Sequence, residues 1–290
     1  MTLAASVISI LLAAASDDPA WSLGELWDGW DYYWPKLLVP LALAVGCGVL
    51  GVFVLLRREG LVALVLPEAV VTGASVAMLM HWSNRLPAAI AVTAAALLLL
   101  AFARRAARDQ LLPALYAGGL CIPFLVIADH GGEHLNELQQ LFIGNGKDVA
   151  LGPADAWLVM PVALCAAAVC AALWRRWLLL AQSPTAARLA GVHPTGWDLL
   201  FLALLAAVVL VGVDSTGMVM VLALLLLPAA AALPWARRVP NALALSILIA
   251  LVDVGVGFYL SNRLGWPYSQ TVGGVGFGVM LLSRLGARFA

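Results

Sequence analysis

Nine apolar runs divide this chain, each close to the length a helix needs to cross a bilayer. They cover about residues 37–56, 61–80, 87–103, 111–128, 155–174, 197–213, 217–235, 241–260 and 269–283. Most hold 17–20 residues and the last holds 15, against an apolar core of about 30 Å and a helical rise of about 1.5 Å per residue. The chain is 63% hydrophobic and 11% charged, where soluble domains run at about 45–50% and about 25%. It has too few polar side chains to cover a water-facing surface. That excludes a soluble enzyme and a disordered chain. A nucleic-acid binder is excluded as well, because 16 basic residues are matched by 16 acidic ones and no basic excess remains. The fold class expected is all-α: a polytopic α-helical membrane protein with about eight to nine transmembrane helices, held in lipid. Residues 37–290 form the transmembrane domain, and residues 1–36 an N-terminal apolar stretch and outer interfacial segment.

The charges orient the runs. Twelve basic residues fall in five clusters: Arg57/Arg58, Arg104/Arg105/Arg108, Arg175/Arg176/Arg188, Arg237/Arg238 and Arg284/Arg288. Every cluster follows an odd-numbered run. Lys36, Arg85, Lys147 and Arg263 lie at the opposite ends. By the positive-inside rule the first run starts outside and the C-terminus is cytoplasmic. Trp82, Trp157, Trp174, Trp177, Trp197, Trp235 and Trp266 sit near run ends, as interfacial residues do. Residues 1–16 fit either a signal-peptide core or a half-inserted helix. Cys47, Cys121, Cys165 and Cys170 all lie inside apolar runs with no C-x-x-C pair, and read as small core residues.

Two acids fall where charge is expensive, Glu68 and Asp253. Glu68 lies ten residues past Arg58, about 15 Å along a helix. No Lys or Arg lies at comparable depth in any run. A mid-bilayer carboxylate must be protonated, paired or facing water, so acids without bases suggest a cation or proton path. The alternative is a protonated carboxyl kept for packing. Pro67 favours the path reading at Glu68. It deprives the carbonyl of Ala63 of its helical donor, and broken helices are where transporters assemble ion sites.

Two further segments carry polar signals. His130, Glu133 and His134 form an H-x-x-E-H string, which in some zinc peptidases supplies two ligands and a base. Gly131 and Gly132 interrupt it, so the readings are a weak outer metal-collecting site at His130 and His134 or a plain polar loop. A short amphipathic helix is expected at about 135–142, stopped at Gly144-Asn145-Gly146. Ser183 and Pro184 can start a short cytoplasmic helix that Gly191 ends. No G-x-x-x-x-G-K-[ST] phosphate loop is present, so ATP-driven transport would need its motor on another chain.

With these elements in order, the chain resembles the permease subunits of bacterial ATP-binding cassette importers for zinc, manganese and iron. The family string R-R-x-S-x-x-G-D-x-x-x-H-A-x-x-x-G begins here at Arg57-Arg58-Glu59-Gly60 and ends at Glu68-Ala69 through Gly73. Its L-F-G-D region looks like Leu141-Phe142-Ile143-Gly144-Asn145. Its S-P-x-x-A-x-x-x-G segment matches Ser183, Pro184, Ala187 and Gly191. Its G-x-x-x-x-x-x-L-L-x-x-P-A-A-x-A string matches Gly217, Leu224, Leu225, Pro228, Ala229, Ala230 and Ala232. Two positions depart: Leu64 stands at the family's aspartate and Glu68 at its histidine, both associated there with metal passage. Oxygen ligation shifts preference from zinc toward manganese or harder ions.

The resemblance implies a homodimeric permease in the bacterial cytoplasmic membrane, with its pathway at the dimer centre. It implies a divalent metal ion as substrate, and neither catalytic residues nor a resident cofactor on this chain. A cytoplasmic ATPase subunit would couple through Ser183, Pro184, Ala187, Arg188 and Gly191, and an extracytoplasmic solute-binding protein would deliver the ion. Two other readings stand beside it: the same fold moving a different solute, and a membrane metallopeptidase using the outer His/Glu cluster.

Overall fold

The computed structural model describes residues 30–82, 84–102, 105–129, 135–144, 153–182 and 194–287. Among them every regular element is helical. The first four helices are α1 (Trp30–Leu56), α2 (Gly60–Leu79), α3 (Leu86–Phe102) and α4 (Arg105–Asp129). The short α5 (Leu135–Ile143) follows, then α6 (Pro153–Ala172) and α7 (Trp174–Gln182). The chain closes with α8 (Pro194–Thr216), α9 (Met218–Ala232), α10 (Val239–Leu264) and α11 (Tyr268–Gly286).

Each apolar run falls on a helix, and α5 stands where the amphipathic stretch predicts it. Length and apolarity alone mark four membrane crossings: Tyr33–Leu56, Gly60–Leu79, Thr195–Thr216 and Val239–Leu264. Ala156–Ala172 and Trp174–Ala181 meet the same standard only together, and they are bent by 69° at Leu173. The bend falls at the end of the expected run, and α7 follows it. Beyond it, α7 turns Trp177 fully inward while Arg175 and Arg176 stay exposed. Helix α1 begins at Trp30, so residues 30–36 are helical and continuous with the first apolar run.

The interior is built on α1 and α9. Helix α1 packs against α6, α9 and α10, while α9 also meets α2 and α11. Helices α2, α3 and α4 form a second group, and α8 lies against α6. Both α2 and α9 are apolar all round, the pattern of a helix enclosed by others. The outward residues are also apolar, with Trp157, Leu282 and Leu125 at 77%, 71% and 66% exposure. Water would penalise such a surface and hydrocarbon does not.

Two junctions depend on unusual backbone. After α1, Arg58 takes φ 58°. There the amide of Glu59 donates to the carbonyl of Val54 at 2.9 Å, and the amide of Arg58 to that of Leu55 at 3.1 Å. These are the paired bonds of a Schellman turn, with arginine where glycine is usual. Between α8 and α9, Gly217 has φ 87° and ψ 159°, a region essentially reserved for glycine. It lies against the backbone of Gly144, itself at φ 82°. The Ser269 hydroxyl donates to the Thr216 carbonyl at 3.0 Å, and the Gln270 amide to that of Ile143 at 3.3 Å. The end of α5 and the α8–α9 junction thereby meet backbone to backbone, and the start of α11 is joined to both through side-chain bonds to their carbonyls.

Candidate functional site

Glu68 is fully buried on α2, and neither carboxylate oxygen has a hydrogen-bond partner among the described residues. The helix is not broken at Pro67, as the proline had suggested; α2 runs continuously from Gly60 to Leu79. What makes room for the carboxylate is the neighbouring helix. A Cβ placed on Gly119 of α4 would come within 2.5 Å of Cγ of Glu68 and 3.3 Å of Oγ1 of Thr72. Thr72 lies one turn after Glu68 and donates from its hydroxyl to the Gly119 carbonyl at 3.2 Å. Glu68 and Thr72 thus both pack on Gly119 between α2 and α4, Glu68 through its Cγ and Thr72 through a bond to the carbonyl. A cleft of about 250 Å³ opens beside them, lined by Val65, Ala69, Thr72, Leu99, Leu115 and Gly119. Its wall is mostly apolar, with Thr72 as the polar side chain on it, and Glu68 packs next to it against Gly119.

Asp253 on α10 is the second buried acid, at 1% exposure, and both its oxygens lack a partner. It faces Gly276 on α11, where an added Cβ would lie 2.9 Å from Oδ2. The structure does not bring Glu68 and Asp253 together. Glu68 belongs to the α2–α4 group and Asp253 to the α10–α11 pair, with α9 touching both groups.

Among the described residues, no three His, Cys, Asp or Glu side chains cluster as a metal cage. His130 and His134 lie outside the described residues, and so do Ser183, Pro184, Ala187, Arg188 and Gly191. Leu64, at the position of the resembling family's aspartate, is half-buried. Cys47 and Cys170 are buried as expected, whereas Cys121 and Cys165 are exposed on the apolar exterior. Sequence reasoning missed Thr72 and Gly119. The i, i+4 spacing of Glu68 and Thr72 was legible as a shared helix face; the approach of Gly119 was not.

These features define an integral membrane protein whose interior carries unpaired acids. A model of the ABC 3 transport family matches residues 30–285, and the chain belongs to that family. It is similar to the manganese transport system membrane protein MntC of Halalkalibacterium halodurans, with 24% identity over 234 residues, 80% of this chain and 79% of that one. The manganese import system permease protein ScaB of Streptococcus parasanguinis is 23% identical over 236 residues, 79% of this chain and 82% of that one. Among solved structures, PsaBC from Streptococcus pneumoniae in complex with Fab has a similar fold. The TM-score is 0.77 at 17% identity, covering 90% of this chain and 95% of that one.

Proposed function

We propose that this chain is the membrane-spanning subunit of an importer for a divalent metal cation, with manganese as the preferred substrate and Glu68 on its path. The carrying observation is the Glu68 carboxylate, wholly buried and unpartnered beside the Thr72 hydroxyl and the Gly119 carbonyl. A charge so placed costs several kcal/mol unless a proton or a cation meets it. The three donors are all oxygens, which suit manganese better than zinc. The named relatives are manganese permeases, which supports the same choice. Asp253 is a second acid on the path side of the reading, acting apart from Glu68. The chain works as a homodimer in the cytoplasmic membrane, with ATP hydrolysed on a separate cytoplasmic subunit and the ion delivered by an extracytoplasmic binding protein.

Uptake of radiolabelled manganese, zinc and iron by cells with and without the gene tests the substrate. Manganese uptake should fall most on deletion. If uptake of all three metals is unchanged, the metal reading fails and the same fold must move another solute.

The ATPase contact is tested separately at Gly191, within the segment that resembles the family's coupling motif. Gly191→Trp should insert at normal levels yet lose co-purification of the ATPase by at least tenfold. Normal co-purification together with normal uptake would remove this segment from the ATPase contact.

A further inference from the structure

Arg57 is one of the positive-inside charges and opens the family string, yet its side chain is only 7% exposed. Its guanidinium pairs with two carboxylates, Glu59 at 3.3 Å and Asp198. One face of it lies over the ring of Phe201, 4.7 Å from the centroid. Asp198 and Phe201 are on the first turns of α8, and Glu59 is the residue that caps the start of α2. Arg57 therefore ties the start of α8 to the start of α2, across 141 residues of sequence.

A buried aromatic group braces the same corner. Trp177 of α7 is fully buried. It meets Phe53 of α1 at 5.8 Å, Phe201 at 5.9 Å and Trp197 at 6.3 Å between ring centroids. Arg176 lies over Trp197 at 4.8 Å. Helices α7 and α8 are the two elements that flank residues 183–193 in sequence. Both are held against the α1–α2 turn, one by packing and one by charge.

We propose that the Arg57–Asp198 pair is the positioning link that carries ATPase-driven movement of the 183–193 segment into α2, and so to Glu68. This inference rests on the transport reading above. Packing alone resists separation but lets helices slide. One guanidinium nitrogen, Nη2, bonds both carboxylates, and the plane rests on Phe201, so the group is held from two sides and over one face. The α1–α2 turn is stiff for the reason already given, since its Schellman bonds hold Glu59 in place. The carbonyl of Glu59 accepts the amide of Val62 at 3.0 Å and starts the helix. Glu68 then lies nine residues on, about 14 Å along a continuous helix. A displacement of Asp198 is thus delivered to the buried carboxylate along one rigid rod.

Asp198→Asn tests the link with little threat to the fold, because that side chain is 41% exposed. The variant and wild type are purified with the ATPase subunit and reconstituted into vesicles, and both ATP hydrolysis and manganese entry are measured. The expected result is full assembly, hydrolysis within twofold of wild type, and at least a tenfold fall in metal moved per ATP. Arg57→Lys keeps the charge but loses the guanidinium plane that lies over Phe201, and should fall between the two. An unchanged ratio of metal to ATP in Asp198→Asn overturns the link. Failure of that variant to assemble also overturns it, by making the pair a clasp for the fold alone. The transport reading is judged on wild type in the same vesicles: hydrolysis without entry of any metal defeats that reading, and the link falls with it. Loss of ATPase binding, the outcome expected for Gly191→Trp, is a different signature from the uncoupling expected here.

Discussion

Replacing Glu68 by glutamine is expected to leave the protein at normal levels in the membrane and to cut manganese uptake by at least tenfold. Glutamine keeps the shape that fits against Gly119 and removes the negative charge. The fold should tolerate the change, because a neutral amide is easier to bury than an unpaired carboxylate. In the wild type, acidification should weaken apparent metal affinity, since protons and metal compete for the same oxygens. The residual uptake of Glu68→Gln should lose that part of the pH dependence. Glu68→His should retain some transport with zinc favoured over manganese, because imidazole suits zinc better than a single carboxylate does. Gly119→Ala probes the same place from the other side, as its methyl group would lie 2.5 Å from Cγ of Glu68. It should lower uptake while the Glu68 carboxylate remains. Wild-type uptake kinetics for Glu68→Gln in reconstituted vesicles would make Glu68 a packed, neutral carboxyl and end its assignment to the path.

The largest effect on the fold is expected at Gly217. Its φ of 87° and ψ of 159° are open to glycine and costly for any other residue, by about 1–3 kcal/mol. A side chain there would also strike the Gly144 backbone, with Cα at 2.6 Å and the carbonyl carbon of Ile143 at 3.2 Å. Neither neighbour can turn aside as the end of a side chain could. Gly217→Val should therefore destabilise the protein by about 3 kcal/mol or more, adding backbone strain to overpacking. In detergent it should lose its single size-exclusion peak, or unfold at a clearly lower temperature than wild type. Gly255→Ala is the matched control, since an added Cβ there meets nothing within 4 Å. Equal stability of the Gly217 and Gly255 variants would show that this junction tolerates a side chain.

Much of the architecture was legible because it is local. Whether a stretch of about 20 residues prefers hydrocarbon to water is decided by its own side chains. The nine apolar runs consequently fell on helices, and Glu68 and Asp253 could be singled out as buried acids before any packing was known. Two local readings needed correction. Pro67 looked like a break, yet α2 continues through it. The loss of one hydrogen bond is outweighed when the helix is buried against α3, α4 and α9 on its other faces. The stretch just past the run at 155–174 was read only as a basic cluster, yet the chain turns at Leu173 by 69° and continues as α7. The turn puts Trp177 among Phe53, Trp197 and Phe201, partners that are not adjacent to it in sequence.

The sequence by itself determined the solvent, the helical class and the family motifs, because each depends on residues within a few turns of one another. Only the tertiary structure decided which helices meet. It set Gly119 against Glu68 and Thr72, kept Asp253 on a separate helix pair, and joined Arg57 to Asp198, 141 positions further along the chain. In an apolar chain almost every helix face is able to pack, so hydropathy does not select partners. That selection comes from shape, through glycines where backbones touch and a few buried polar groups that must find one another or an ion.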